Sequence, residues 1–117
     1  MPRSPEVYLR ELEKAARYLI GKAEGLTLDE YRENEDLQAM VERHFIRIGE
    51  TMAQLRRSFP AISDQFADAS QIVGFRNFII HQYWDVDHRE VWDTLTSKIE
   101  PLLREVEIAI QRLPPTL

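Results

Sequence analysis

The feature that most constrains this chain is its hydrophobic rhythm. Apolar residues return every three or four positions almost from end to end, and no stretch of any length alternates apolar with polar. A step of three to four places side chains along one stripe of a helix, whereas a half-buried strand needs a step of two. The chain therefore has material for helices packed on helices and none for a sheet. In the first segment Tyr8, Leu9, Leu12, Ala15, Ala16, Leu19 and Ile20 make one stripe over residues 7–20. Ser4 is placed to cap it, Pro5 fits its first turn, and Gly21 or Gly25 supplies the stop. A short segment can start at Thr27 or Asp29, within a charged run over 29–36 that reads as solvated.

The second long helix is expected over about residues 36–57, with the stripe Leu37, Met40, Val41, His44, Phe45, Ile48, Met52 and Leu55. Its near-heptad spacing buries against other helices, in a bundle or a dimer. Ser58-Phe59-Pro60 ends it, because the residue before proline is pushed out of the helical region. Residues 61–69 carry a weak signal, one or two helical turns. Ser70 is a plausible cap for a third helix holding Ile72, Val73, Phe75, Phe78, Ile79 and Ile80. Those apolar residues surround the helix, which predicts a central position in the fold. The pattern breaks at Asp85-Val86-Asp87. Asp87 with Glu90 spells a capping box that opens the last helix, and Val91, Leu95, Ile99, Leu102, Val106 and Ile110 face inward along it. Pro101 is expected to kink that helix or divide it. Pro114-Pro115 closes the domain. The expected architecture is a single all-α domain over 1–117, an up-down bundle of four main helices plus a short one.

Composition narrows the chemistry. At 117 residues the chain has the size of one domain and can bury a real core. With no cysteine, it has no disulfide scaffold, thiolate metal site or thiol catalysis. Only 4 glycines are present, and neither GxGxxG nor GxxxxGK occurs. The N-terminus is polar, no apolar run reaches the roughly eighteen residues of a membrane span, and the expected location is the cytoplasm. A net charge of −5 argues against coating nucleic acid by bulk charge, though it leaves a local basic site open.

One constellation stands out in the most apolar helix: Arg76-Asn77-Phe78-Ile79-Ile80-His81-Gln82-Tyr83. A buried guanidinium without a partner is costly, so Arg76 must meet a carboxylate, line a cleft or face a second subunit. Asn77 and His81 share one face at four residues' spacing, and Arg76 and Tyr83 lie nearly together on another. Such a set suits phosphodiester cleavage of RNA without a metal. A histidine takes the proton of the 2′-hydroxyl, and an arginine fork stabilises the charge developing on the phosphorane oxygens. Asn77 is placed to orient the phosphate, and Tyr83 to hydrogen-bond it, stack on a base or offer its phenol for modification. The spacing alone is weak, since an arginine five residues before a histidine recurs by chance. The competing reading pairs Arg76 with a core carboxylate and makes His81 a satisfied interior histidine.

Here the sequence resembles a known family. Arg76–Tyr83 resembles the RxxxxHxY signature of HepT toxins, members of the HEPN (higher eukaryote and prokaryote nucleotide-binding) superfamily. Ile48-Gly49-Glu50 is similar to the family's "IGE" segment, Gly74-Phe75-Arg76-Asn77 to its entry into the motif, and Tyr83-Trp84-Asp85-Val86-Asp87 with Val91-Trp92 to its continuation. The similarity runs from about Leu9 to Leu103, with no alignable signature over 60–69. The resemblance implies a homodimeric all-α ribonuclease without cofactor, its two motifs facing each other across the dimer cleft. It also implies a toxin neutralised by an MntA-type minimal nucleotidyltransferase, which transfers AMP from ATP to the motif tyrosine. Carried over, Arg76 and His81 are the catalytic pair, Asn77 a supporting polar residue and Tyr83 the adenylylation acceptor. AMP there would add charge and bulk where a phosphate substrate must sit.

Other residues carry weaker signals. Arg43, Arg47, Arg56 and Arg57 fall along the second helix with few acids nearby; they read as a solvated face or, more sharply, as an RNA-steering strip led by Arg43 and Arg47. Glu50 is placed to orient Arg76 or His81. His44 reads as packing, His88 as solvated, and Tyr31, Trp84 and Trp92 as core or dimer contacts. Asp85, Asp87, His88 and Glu90 suggest a metal cluster, but capping already accounts for Asp87 and Glu90, so no metal is expected. A second function remains open: a non-catalytic module of the same fold that dimerises and holds a nucleotidyltransferase partner or a nucleotide. A plain structural bundle leaves the polar edge of the third helix unexplained.

Overall fold

The computed structural model describes residues 3–82 and 84–115. They form six helices: α1 (Pro5–Ala23), α2 (Leu28–Arg32), α3 (Glu35–Ser58), α4 (Pro60–Ser63), α5 (Ala69–His81) and α6 (His88–Gln111). Four are long, as the periodicity predicts, and α2 and α4 are single turns. No strand occurs among the described residues.

Local chemistry explains most boundaries. Pro5 occupies the first turn of α1, with Ser4 in the cap position but without a side-chain hydrogen bond. Of the two candidate stops, Gly25 is the one used: it takes φ +77°, a left-handed conformation that glycine adopts without strain. Thr27 and Glu30 close a reciprocal capping box around α2. Asn34, which pattern reading passed over, caps α3 by accepting from the Leu37 amide at 3.0 Å. Asp87 caps α6 by accepting from the Arg89 and Glu90 amides at 3.1 and 3.2 Å.

Three expectations are corrected. Ser70 is not a cap, because α5 begins one residue earlier behind Asp68. Pro101 does not divide the last helix: α6 runs unbroken for 24 residues with the proline inside it. Proline removes one amide donor and crowds one turn of backbone, and continuous packing of α6 on α1 holds the rest of the ladder together. The third correction concerns α5. It is not central: of its residues only Ile79 is fully buried, and it rests chiefly on α3.

The core lies instead where α1 packs against both α3 and α6. Leu9, Leu12, Ala16 and Leu19 meet Val41, Met52 and Leu55 of α3 and Val91 and Val106 of α6, all removed from solvent. Full burial of side chains of this kind contributes roughly 1.5–3 kcal/mol each before the entropy cost of ordering them. On α5, Ile72, Val73, Phe75 and Phe78 are half-buried and Ile80 is 43% exposed. An all-round apolar helix with one covered side leaves apolar surface at the edge of the chain, next to the polar motif.

Candidate active site

The site begins with a close approach. Gly49 lies one residue past Ile48, which anchors α3 in the core. A Cβ on Gly49 would overlap the Cβ of Arg76, so α5 can sit this near α3 only because position 49 has no side chain. The next residue, Glu50, then meets the arginine: its carboxylate lies 3.4 Å from Arg76 Nη1. From the other side Arg76 Nε and Nη2 donate to Asn77 Oδ1 at 3.1 and 2.9 Å. The Arg76 side chain is 18% exposed and Glu50 is 52% exposed, so the pair lies at the surface edge of the α3–α5 seam. A guanidinium has five N–H donors. The two hydrogen bonds to Asn77 use Nε–H and one N–H of Nη2, and Nη1 meets Glu50 only as an ion pair, so both terminal nitrogens keep an N–H for two oxygens of a phosphate.

The interior pairing considered for Arg76 is thus half right: it meets a carboxylate, but one that faces water. His81 is not an interior residue; it is exposed in the last turn of α5. Five residues of α-helix separate Arg76 and His81 by about 140° around the axis and about 7.5 Å along it. A single α5 therefore presents the two groups in different directions. Tyr83 lies outside the described residues.

Arg43 and Arg47 are both exposed, and neither makes an ion pair among the described residues. They line one surface cleft together with Glu50, which places the arginine strip directly beside the carboxylate that holds Arg76. His44 is half-buried; its Nδ1 donates to the Met40 carbonyl at 2.7 Å and its ring stacks on Tyr18 at 3.8 Å.

A second polar cluster was misread from the sequence. His88 is not simply solvated: it stands edge-on to Tyr31 and 4.0 Å from the Glu42 carboxylate. Tyr31 is fully buried against Trp92, and its hydroxyl has no hydrogen-bond partner among the described residues. Burial pushes the Tyr31 phenol well above its ordinary range, and the Glu42 charge adds to that. Burial likewise raises Glu42, with His88 opposing the shift. Trp84, by contrast, is 83% exposed. Among the described residues, no group of three or more histidines and carboxylates is arranged to hold a metal ion, and no helix is long and apolar enough to cross a membrane.

Comparison with known proteins decides the family. A family profile described as "Ribonuclease HepT-like" matches residues 7–109, which include all of α2 to α5 and the whole Arg76–Tyr83 motif. The chain belongs to the HepT-like ribonuclease family. Among curated proteins it is 24% identical over 110 residues to "Putative RNase TTE0752" of Caldanaerobacter subterraneus subsp. tengcongensis, covering 94% of this chain and 97% of that one. It is 24% identical over 108 residues to "Putative RNase MJ1380" of Methanocaldococcus jannaschii, covering 91% and 96%. A second protein of that archaeon, "Putative RNase MJ1216", is 25% identical over 113 residues, covering 93% and 89%. No solved structure matches the chain.

For a HepT-like chain, the "IGE" string now has a physical content that the sequence conveyed only as a resemblance. Ile48 anchors, Gly49 admits α5, and Glu50 takes the arginine.

Proposed function

We propose that this chain is a metal-independent endoribonuclease that acts as a homodimer and serves as the toxin of a toxin–antitoxin pair. The observation that carries this reading is Arg76, held by Glu50 and Asn77 with its outer fork open, on a helix whose apolar surface its own subunit leaves half covered. A second copy packed on α5 would bury that surface and bring its own Arg76 and His81 to the same cleft. His81 then removes the 2′-hydroxyl proton and the freed oxygen attacks the adjacent phosphorus. Arg76 stabilises the charge on the non-bridging oxygens, and the imidazolium returns a proton, directly or through water, to the departing 5′-oxygen. The products are a 2′,3′-cyclic phosphate and a 5′-hydroxyl. Neutralisation follows when a nucleotidyltransferase antitoxin directs the Tyr83 phenol oxygen onto the α-phosphorus of ATP: pyrophosphate leaves, the phenol proton passes to solvent, and AMP stays on the tyrosine.

The test is RNA cleavage by purified protein in excess chelator, with Arg76→Ala and His81→Ala alongside. Cleavage to cyclic-phosphate ends that both substitutions abolish supports the reading, and undiminished cleavage by both variants overturns it. Intact mass after incubation with the antitoxin and ATP tests the regulatory half: the gain of AMP must vanish in Tyr83→Phe. The half-covered face of α5 also suits a second reading, a non-catalytic module that dimerises and holds the nucleotidyltransferase or a nucleotide. It predicts a stable complex with no cleavage of RNA.

A further inference from the structure

We propose that the groove between α1 and α3 is a binding subsite for the single-stranded RNA flanking the scissile phosphate, with Lys14 and Arg47 as phosphate ligands and the stacked Tyr18–His44 pair as a base platform. The proposal rests on the ribonuclease reading and adds a place for the strand beyond the cleavage site.

Three observations carry it. The first is charge. The groove is lined by Glu11, Lys14, Arg17, Tyr18, His44 and Arg47. Glu11 is occupied by Arg3 at 2.8 Å, and Arg17 by Glu107 at 3.0 Å and Glu13 at 3.5 Å. Lys14 and Arg47 have no carboxylate partner among the described residues, so the groove is locally positive on a chain whose net charge is −5. The second is the platform. Tyr18 and His44 lie 3.8 Å apart and within 6° of parallel, and Lys22 sits over the Tyr18 ring at 5.5 Å, so Tyr18 backs the stack and the face offered to a base is the outer face of His44. A carbonyl can only accept, so the Met40 contact makes Nδ1 the donor and fixes the imidazole plane, leaving Nε2 for another partner. Aromatic faces beside unpaired cations are the recurring chemistry of single-strand binding, because every base offers a π-face and every linkage a charge.

The third is continuity. Arg47 lines both this groove and the neighbouring cleft that contains Arg43 and Glu50, and Glu50 holds Arg76. Along α3, Glu50, Arg47 and His44 follow one another at three-residue steps, about 4.5 Å along the axis and about 60° around it, so the path winds from the α5 side of α3 towards α1. A strand whose scissile phosphate sits on Arg76 thus meets a cation and then an aromatic platform within the length of one or two nucleotides.

Fluorescence anisotropy of a labelled ten-nucleotide RNA, with the full-length His81→Ala chain as the binding-competent background, tests this. The double substitution Lys14→Gln/Arg47→Gln is expected to raise Kd about tenfold and to flatten the slope of log K against log salt by about 1.4, the loss of two single-strand phosphate contacts. Lys98→Gln/Arg104→Gln removes the same charge from exposed positions on α6 and serves as the control, with Kd within about twofold. His44→Ala is expected to raise Kd about fivefold and His44→Phe to keep the platform. An equal effect of the two double substitutions, or no effect of either, overturns the groove, as does RNA binding insensitive to His44→Ala. Cleavage by the wild-type chain is followed in parallel. Groove-dependent binding without cleavage sinks the ribonuclease reading alone, and cleavage with groove-independent binding sinks the groove alone.

Discussion

Gly49 and Arg76 meet across the α3–α5 seam at a separation that leaves no room for a side chain at position 49. That contact sets where the guanidinium stands relative to α3, because Glu50 can reach it only when α5 is seated this deeply, while Asn77 holds it from within α5. Gly49→Ala is therefore expected to push α5 off α3, lowering stability by about 1–3 kcal/mol, the usual cost of overpacking. RNA cleavage should fall with it by at least about tenfold, one decade being about 1.4 kcal/mol of barrier. Gly21→Ala is the matched control: a Cβ there meets nothing, and a helical glycine replaced by alanine should gain about 0.5–1 kcal/mol. Thermal denaturation of both variants checks the contrast.

Glu50 separates positioning from stability. The ion pair with Arg76 is half exposed on the carboxylate side, and pairs of this kind contribute at most about 1 kcal/mol. Glu50→Gln should melt within a few degrees of wild type while kcat for RNA cleavage drops about tenfold. An unchanged kcat would show that Asn77 alone holds the arginine.

The buried Tyr31 hydroxyl has no partner among the described residues, and burying such a group costs about 1–3 kcal/mol. Tyr31→Phe keeps the ring against Trp92 and His88 and removes the hydroxyl. Urea denaturation should show it more stable than wild type by about 1 kcal/mol.

Glu42 beside that ring gives a pH signature. Its carboxyl is raised above the ordinary 4.5, mainly by burial, so the fold binds this proton more tightly than the unfolded chain does. The stability this contributes is present below the ordinary value and is lost as pH rises through the raised one. Glu42→Gln carries no charge at any pH. It should match wild type near pH 4 and exceed it at pH 8, where wild type carries the charged carboxylate that burial disfavours. Denaturation midpoints at the two pH values decide it.

Much of this was legible in the sequence, and the exceptions share a cause. The four long helices, the start of α2 at Thr27 and the cap at Asp87 depend on neighbours a few residues away, which a linear pattern records. The position of α5 was not legible. Apolar residues on every side announce burial without saying what provides the cover, and within this chain α5 is covered chiefly on the side that faces α3. Pro101 signals a break, yet a helix gripped along its length by α1 tolerates it. His88 reads as a capping-turn residue, but its ring lands on Tyr31 from α2, a contact between distant positions. At the site, the residue types were visible and the geometry was not. Gly49 looked like one letter of a resemblance, and only the close approach of two helices reveals what it permits.

In the proposed dimer Arg76 of one subunit works with His81 of the other, since one α5 turns them about 140° apart. Mixing Arg76→Ala and His81→Ala chains through a dissociation and reassociation step, then measuring RNA cleavage, tests it directly. Each variant alone should be inactive, and the mixture should regain activity, because a mixed dimer restores one intact pair across the cleft. A mixture as inactive as its components, with mixed dimers present by native mass spectrometry and the wild-type chain cleaving RNA, would contradict the account.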